Sequence, residues 1–383
     1  MPRINVITCG TSILRNAVKT SEEDIELLHR TANKREEHAP AEERTLLAIG
    51  PDELRGLHAI EQKVREQLIG SGDDRACELS AELNGLIKYY RREQIDQIRQ
   101  DIFYFIHTDT CQGEIAAKLL EEWCKERGIS NISMYKVRDL NTADTEEFHL
   151  GINELVKWCH DHLPRRRNEH DKVIFNLVGG FKALQGYMQT LGMFYADEIV
   201  YIFEGSDKLL TIPRIPVDFD VSAKKAVEEH IDAFRKMSSG ISLPHEECIG
   251  IPETLLFITG NRCLLSNWGE LIWGEMKDGI YSKELLAPIS ELIVYTDNFR
   301  SDVQKKAVGS NKVGEVNQQI DKLSRYLDGG RKDDLQSCDY RAIKPHNGSD
   351  HEFDLWHDGK AMRALCHEKN GQVILDSICH LAL

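Results

Sequence analysis

Apolar and polar positions along the first half of the chain fall into alternating blocks. The run Ile4–Cys9 (INVITC) reads as a buried strand that ends in the turn residues Gly10-Thr11-Ser12. From about residue 22 to residue 100 the chain is strongly charged, with apolar residues (Ile25, Leu27, Leu28; Leu79, Leu83, Leu86, Ile87) at helical spacings. That spacing predicts helices, with a polar loop near Lys34–Glu43. Strand-like runs then alternate with amphipathic ones: strand Ile102–His107, helix Gly113–Arg127, strand Ile132–Val137, helix Glu146–His162, the polar loop LPRRRNEHDK, strand Val173–Val178, helix Ala183–Tyr195 and strand Glu198–Phe203. Such alternation predicts parallel βαβ units in a doubly wound α/β sheet. Ligands of these sheets sit beyond the carboxyl ends of the strands, where strand order reverses. Three polar turns belong to that edge: Gly10-Thr11-Ser12, His107–Thr110 and Gly179–Lys182.

The pattern changes after Pro213 and Pro216. Val221–Met237 reads as one helix with Ala226, Val227, Ile231 and Phe234 on a single face, and SSGISLPHEE as a linker. Residues 249–289 hold short helices and a β-wing in GNRCLLSNWGELIWGEM, and could form a winged helix. The run ELIVYTDNF then reads as a strand, followed by helices at Ser301–Ala307 and Val313–Leu327 and strands near His351–Trp356, Lys360–Cys366 and Val373–Cys379. Asp358-Gly359 and Asn370-Gly371 are hairpin turn signals. A helix pair followed by an antiparallel meander is an α+β unit.

Composition narrows the function classes. At 383 residues the chain is long enough for two or three domains. The formal charge of −15 disfavours a general duplex-DNA binder, which needs a cationic face. Residues 291–383 carry 13 Lys/Arg against 15 Asp/Glu, so the negative excess lies almost wholly upstream. The ten cysteines form no CxxC pair, which fits free thiols better than a zinc site or a disulfide framework. No run of about 18 apolar residues occurs, and MPRINVITCG opens directly on a strand, so the expectation is a cytoplasmic protein without a membrane span.

The segment VIFNLVGGFKALQGYMQTLGMFYADEIVYIF carries the clearest candidate chemistry. Glycines at a strand's end let a ligand approach the backbone, the following helix N-terminus favours phosphate, and Lys182 adds a full charge there. Thr11 and Ser12 add hydroxyls on the same edge. Gly179-Gly180 equally suits tight strand–helix packing, with Lys182 a solvated lysine. Neither GxxxxGK[ST] nor GxGxxG is present.

An apolar strand ending in GTS, together with strand–GGFKA–helix–ADEIVYIFEGSDKLLTIPRIPV, resembles the CARF family, the CRISPR-associated Rossmann-like sensor domains. The resemblance covers residues 1–215, with residues 22–100 as a helical insertion. It implies binding of a cyclic oligoadenylate, cyclic tetra-adenylate being the expected ring, in a pocket shared across a homodimer. A ring of repeated adenylates suits two copies of one half-site. Some family members also cut the ring. Thr11 and Ser12 match the first motif; Gly179, Gly180 and Lys182 match the second; Asn16, Thr108 and Thr110 follow from their place on the sheet edge.

Residues 216–290 are then a helical or winged-helix-like linker domain, and residues 291–383 the output. A HEPN ribonuclease is excluded because RAIKPH (Arg341–His346) has Pro345 inside the helix that HEPN needs, and RRRNEH (Arg165–His170) lies in a loop. Glu352, Asp354 and Lys360 make only a weak PD-(D/E)xK pattern. The order strand, two helices, strongly polar approach and hairpin, with the segment GKAMRALCHEKNGQVILDSICH, resembles the RelE/HigB toxin fold. That resemblance implies cleavage of mRNA without a metal or other cofactor, on the ribosome. Arg363 matches the family's strand arginine, a phosphate clamp, and Lys344 a basic position before the meander. Histidine is the residue type suited to proton transfer near neutral pH, so two of His346, His351, His357, His367 and His380 could supply a base and an acid, with His351 and His380 favoured. The same histidines also suit a solvated surface. Asp354 departs from the family, which often has arginine there. The alternatives are a cyclic-oligoadenylate-controlled transcription regulator, or an effector carrying another nuclease.

Overall fold

The computed structural model describes residues 2–37, 45–90, 98–163, 172–202, 208–328, 338–346, 348–359 and 361–380. The chain divides into two compact units, Met1–Asp218 and Phe219–Leu383.

The first unit is built on a six-stranded sheet with strands β1 (Arg3–Thr8), β2 (Ile102–Thr108), β3 (Ile132–Val137), β4 (Lys172–Asn176), β5 (Glu198–Ile202) and β6 (Leu209–Pro213). Their order is β3-β2-β1-β4-β5-β6, parallel throughout except for the antiparallel β6. The alternation of strands and helices predicts this parallel sheet, and β1 has the burial expected of a central strand: Asn5 to Thr8 are all buried, on both faces. Asn5 is tolerated there because its Nδ2 donates to the Tyr90 hydroxyl at 2.9 Å.

Helices α1 (Ser12–Ala17), α2 (Glu22–Arg30), α3 (Pro51–Leu68), α4 (Asp73–Leu79) and α5 (Ala81–Tyr90) fill the long connection from β1 to β2, and α6 (Cys111–Glu126) links β2 to β3. They share one apolar cluster with Ile7, Phe103, Phe105, Ile174 and Val200 of the sheet. Residues 38–43 of the expected polar loop lie outside the described residues, as do residues 164–171 of LPRRRNEHDK. Helix α7 (Thr145–His162) packs Trp158 against Tyr104 and Tyr135, and α8 (Lys182–Tyr195) packs Gly192 against Phe175 and Ile199. These sheet residues alternate with the first set, so α7 and α8 cover the opposite face. The helix starts carry the expected caps: Thr110 Oγ1 accepts from the Gly113 N–H at 3.0 Å, and an Asp144 carboxylate oxygen from the Glu147 N–H at 2.9 Å.

In the second unit, the single helix expected at Val221–Met237 is two, α9 (Val221–Glu229) and α10 (Ile231–Ser238), broken at His230. The expected linker SSGISLPHEE is part of the packed unit instead: Leu243–Pro244 is strand β7, and Leu243 is buried. The expected wing is half right. Strands β8 (Leu256–Thr259) and β9 (Arg262–Leu265) form a hairpin, but Asn267–Tyr281 is a helix, α11, capped by Ser266. The final segment has strand β10 (Ile293–Tyr295), helix α12 (Asp297–Asp302) running into a π-helical turn at Val303–Val308, helix α13 (Val313–Leu327), and strands β11 (Arg341–His346), β12 (Ser349–His357), β13 (Ala361–Lys369) and β14 (Gln372–His380). Their order is β10-β14-β13-β12-β11. Both predicted hairpin turns join antiparallel neighbours. Strand β11 was not expected; it holds Pro345 at the sheet's edge, where a missing N–H breaks no ladder.

Two apolar clusters, one around Trp273 and one around Phe353, make up the core of this unit. A buried ion pair joins their helices. The Arg235 Nη2 donates to Asp321 Oδ1 at 2.6 Å and its Nε to Oδ2 at 3.1 Å, with Arg235 1% exposed. The Tyr281 hydroxyl also donates to Asp321, and Arg235 donates to the Ala287 carbonyl. Among the described residues no helix is long and apolar enough to cross a membrane.

Candidate functional site

Strands β1 and β4 are neighbours, but the chain leaves them toward opposite edges of the sheet, β1 toward β2 and β4 toward β5. The loops that follow them therefore flank the topological switch point, the usual place for a ligand crevice in such a sheet. These are the GTS loop and the GGFK loop, and the fold brings the two together. The Thr8 Oγ1 donates to the Gly179 carbonyl at 2.7 Å, and Gln185 Nε2 donates to the same carbonyl at 3.2 Å. A Cβ on Gly10 would stand 2.8 Å from the Gly180 nitrogen, so the loops meet backbone to backbone.

The glycines also serve a partner that sequence reading passed over. Glu82, near the start of α5, is 1% exposed beneath both loops. Its Oε1 accepts the Gly10 N–H at 2.7 Å and its Oε2 the Ser80 hydroxyl at 2.7 Å, while the Gly180 N–H also stabilises its charge. A Cβ on Gly179 would lie 1.9 Å from Glu82 Oε1, which leaves glycine as the residue that fits. Gly180 adopts φ +93°, a second reason for glycine. The tight-packing reading of Gly179-Gly180 is thus realised, and the backbone is approached from inside, by a carboxylate. Burial pushes the Glu82 carboxyl above its usual range, against the pull of the Ser80 and Gly10 hydrogen bonds. Burial, then the Glu82 charge, push the Cys9 thiol well up. A lone Glu among helical spacings gave no signal of this role.

Lys182 is the first residue of α8, exposed, and without an ion pair or hydrogen bond among the described residues. Phe181, at the cap position, offers no side-chain acceptor, so α8 starts without a side-chain cap from its own N-cap residue. Thr11 and Ser12 are half-buried at the start of α1, and the Ser12 Oγ has no hydrogen-bond partner among the described residues.

The remaining predicted ligand residues are committed elsewhere. Asn16 Nδ2 donates to the Leu79 and Glu78 carbonyls at 3.0 and 3.4 Å, which ties down the end of α4. Thr108 and Thr110 share a 2.8 Å hydrogen bond, and Thr110 caps α6. Between them, Asp109 pairs with Arg35 at 3.5 Å and Lys136 at 3.9 Å. That end of the sheet edge is occupied by internal ion pairs.

In the second unit the four predicted catalytic residues do not converge. Arg363 is 6% exposed. Its Nη1 donates to Glu352 Oε1 at 2.6 Å, its Nη2 to Asp339 Oδ2 at 3.0 Å, and its Nε lies 3.0 Å from Asp354 Oδ1. Arg363 is opposite Asp354 on one neighbouring strand and Cys379 on the other. Alternation places His351, opposite Cys366, and His380, opposite Met362, on the other face of the sheet. His351 stacks on Tyr340 with ring centroids 5.2 Å apart, and its Nδ1 is 2.8 Å from Asp350 Oδ1. His380 is exposed and lines a cavity of about 270 Å³ with Lys306, Ser310 and Trp356. Lys344 is exposed on the edge strand β11.

A different histidine has the better-built surroundings. His367 Nδ1 is 2.9 Å from Asp376 Oδ2, and the Ser349 hydroxyl donates to the same oxygen at 2.7 Å. Asp376 sits in a β-bulge whose carbonyl accepts from Thr296 Oγ1 and Asn298 Nδ2, each at 3.0 Å. An Nδ1–H held by a carboxylate leaves Nε2 as the proton acceptor. Sequence reading could not separate His367 from its four neighbours, because the bulge decides which side chains meet.

No curated protein matches the chain. The match found begins in α4, takes in Glu82, Gly179, Gly180 and Lys182, and leaves out Gly10–Ser12 and the whole second unit. Over residues 77–215 the chain matches the family model described as CRISPR-associated protein (Cas_APE2256).

Proposed function

We propose that the first unit is the ligand sensor of a CRISPR-associated protein, of the CARF kind, and that it binds a cyclic oligoadenylate at the β1/β4 switch point. The observation that carries this reading is the meeting of the GTS and GGFK loops, tied by the Thr8–Gly179 hydrogen bond, at the sheet position where nucleotides bind. The exposed Lys182 and the start of α8, which has no side-chain cap from Phe181, supply positive potential for phosphates. Two copies of the chain around a two-fold axis would present one crevice to each half of a cyclic tetra-adenylate. Calorimetric titration with cyclic tetra-adenylate and cyclic hexa-adenylate tests the reading. Saturable binding of one ring per two chains supports it, and no heat with either ring removes it.

We propose further that the second unit is the output, a RelE-like endoribonuclease switched on by the bound ring. The order of strand, helix pair and antiparallel meander supports this reading, with His367 and Asp376 in place of the residues first favoured. His367 Nε2 would take the 2′-hydroxyl proton as the 2′-oxygen attacks phosphorus. The bond from phosphorus to the 5′-oxygen breaks, leaving a 2′,3′-cyclic phosphate and a 5′-oxyanion that takes a proton from water to become the 5′-hydroxyl. Incubating mRNA, with and without ribosomes, with the protein and each ring tests it: ring-dependent cuts support the reading, and intact RNA with ring-dependent duplex-DNA binding would favour a regulator.

A further inference from the structure

Glycine amides at a strand–helix turn ordinarily form the anion-binding part of a nucleotide crevice. Here the Gly10 amide is already taken by a carboxylate, and the Gly180 amide lies against the same group. Glu82 is buried, accepts from Gly10 at 2.7 Å, is held on its other oxygen by Ser80, and pairs with no cation among the described residues. It is held in place: Gly179 packs on it too closely to admit a Cβ, and the Asn176 amide donates to its main-chain carbonyl at 3.2 Å.

We infer that Glu82 occupies, from inside the protein, the anion position of this crevice, and so acts as a built-in restraint on the affinity and placement of a polyanionic nucleotide. This rests on the sensor reading above. Two consequences follow from the geometry. A ligand's phosphates are excluded from the Gly10 and Gly180 amides and must be held by side chains around the rim, Lys182 foremost. The uncompensated charge of Glu82 also opposes every phosphate brought near it, since screening is weak at a buried site. The insertion between β1 and β2, through α5, thereby tunes a site that the sheet itself builds.

Glu82→Gln keeps the shape and the acceptor for Gly10 while removing the charge; Glu82→Ala removes both. Cyclic tetra-adenylate titrated into each protein should bind Glu82→Gln about tenfold more tightly than the natural chain, the order expected for one charge lost beside a polyanion. A purely structural brace would give equal or weaker binding, and that result overturns the inference. Amide hydrogen exchange gives a readout that needs no ligand: the Gly10 amide should be protected in the natural chain and in Glu82→Gln, and exchange about tenfold faster in Glu82→Ala. Free exchange of Gly10 in the natural chain also overturns it. If none of the proteins binds a ring, the sensor reading fails and the effect on affinity with it, while the exchange data still report separately whether the carboxylate holds the loop.

Discussion

Arg363 and Glu352 form a buried ion pair, with Nη1 donating to Oε1 over 2.6 Å and the two side chains 7% and 11% exposed. Asp339 and Asp354 close around the same guanidinium. An arginine so surrounded is neutralised before any phosphate arrives, which makes it a structural cation of the meander.

Arg363→Met should therefore lower the stability of the second unit by about 3 kcal/mol, because it leaves the buried Glu352 with the exposed Arg341 as its one remaining cation among the described residues. Urea denaturation measures the loss. Adding Glu352→Met should restore a large part of it, which loss of a catalytic group alone would not predict.

Gly179→Ala should destabilise the first unit by about 1–3 kcal/mol, since the new methyl collides with Glu82. Gly186→Ala, at an exposed position of α8 with nothing within 4 Å, should stabilise it by about 0.5–1 kcal/mol. The opposite signs, read from denaturation midpoints, separate a glycine required by contact from one that is not.

The Glu82 carboxyl titrates above the usual carboxylate range because it is buried. Between the unfolded pKa and this raised folded pKa, the native state binds more protons than the unfolded state. The contribution of Glu82 to stability then falls as pH rises through that window. The stability of the natural chain relative to Glu82→Gln should decline with rising pH there and level off above it. A flat difference would show the carboxyl to be unshifted.

Lys182→Ala should weaken cyclic tetra-adenylate binding by about tenfold or more, as expected for a lost charge-assisted contact. Asn16→Ala should leave the affinity unchanged and lower the melting temperature, because its amide serves the carbonyls of Glu78 and Leu79. Calorimetry and thermal denaturation on the same samples distinguish the two roles.

His367→Gln should abolish ring-dependent RNA cleavage and Asp376→Asn should reduce it while shifting its pH profile, whereas His351→Gln and His380→Gln should retain it. Primer extension on a defined mRNA reads all four. Loss of cleavage in His380→Gln with retention in His367→Gln would move the active site to the cavity beside Lys306 and Trp356.

The order of strands and helices was legible in the sequence because it depends on local periodicity. Buried parallel strands show as apolar runs such as INVITC, amphipathic helices as spaced leucines, and hairpins as Asp-Gly and Asn-Gly. That the GTS and GGFK turns share an edge also followed, since the carboxyl ends of parallel strands lie together. Breaks within elements did not follow: His230 interrupts a face that reads as continuous, and Pro345 sits in a strand because that strand is an edge. Which charged groups meet was decided by tertiary structure alone. Glu82 reaches Gly10 across 72 residues and Arg235 reaches Asp321 across 86, and the bulge at Asp376 sets the face and partner of His367. Periodicity is a property of neighbours along the chain, whereas the partner of a buried charge depends on which distant segment the fold lays against it.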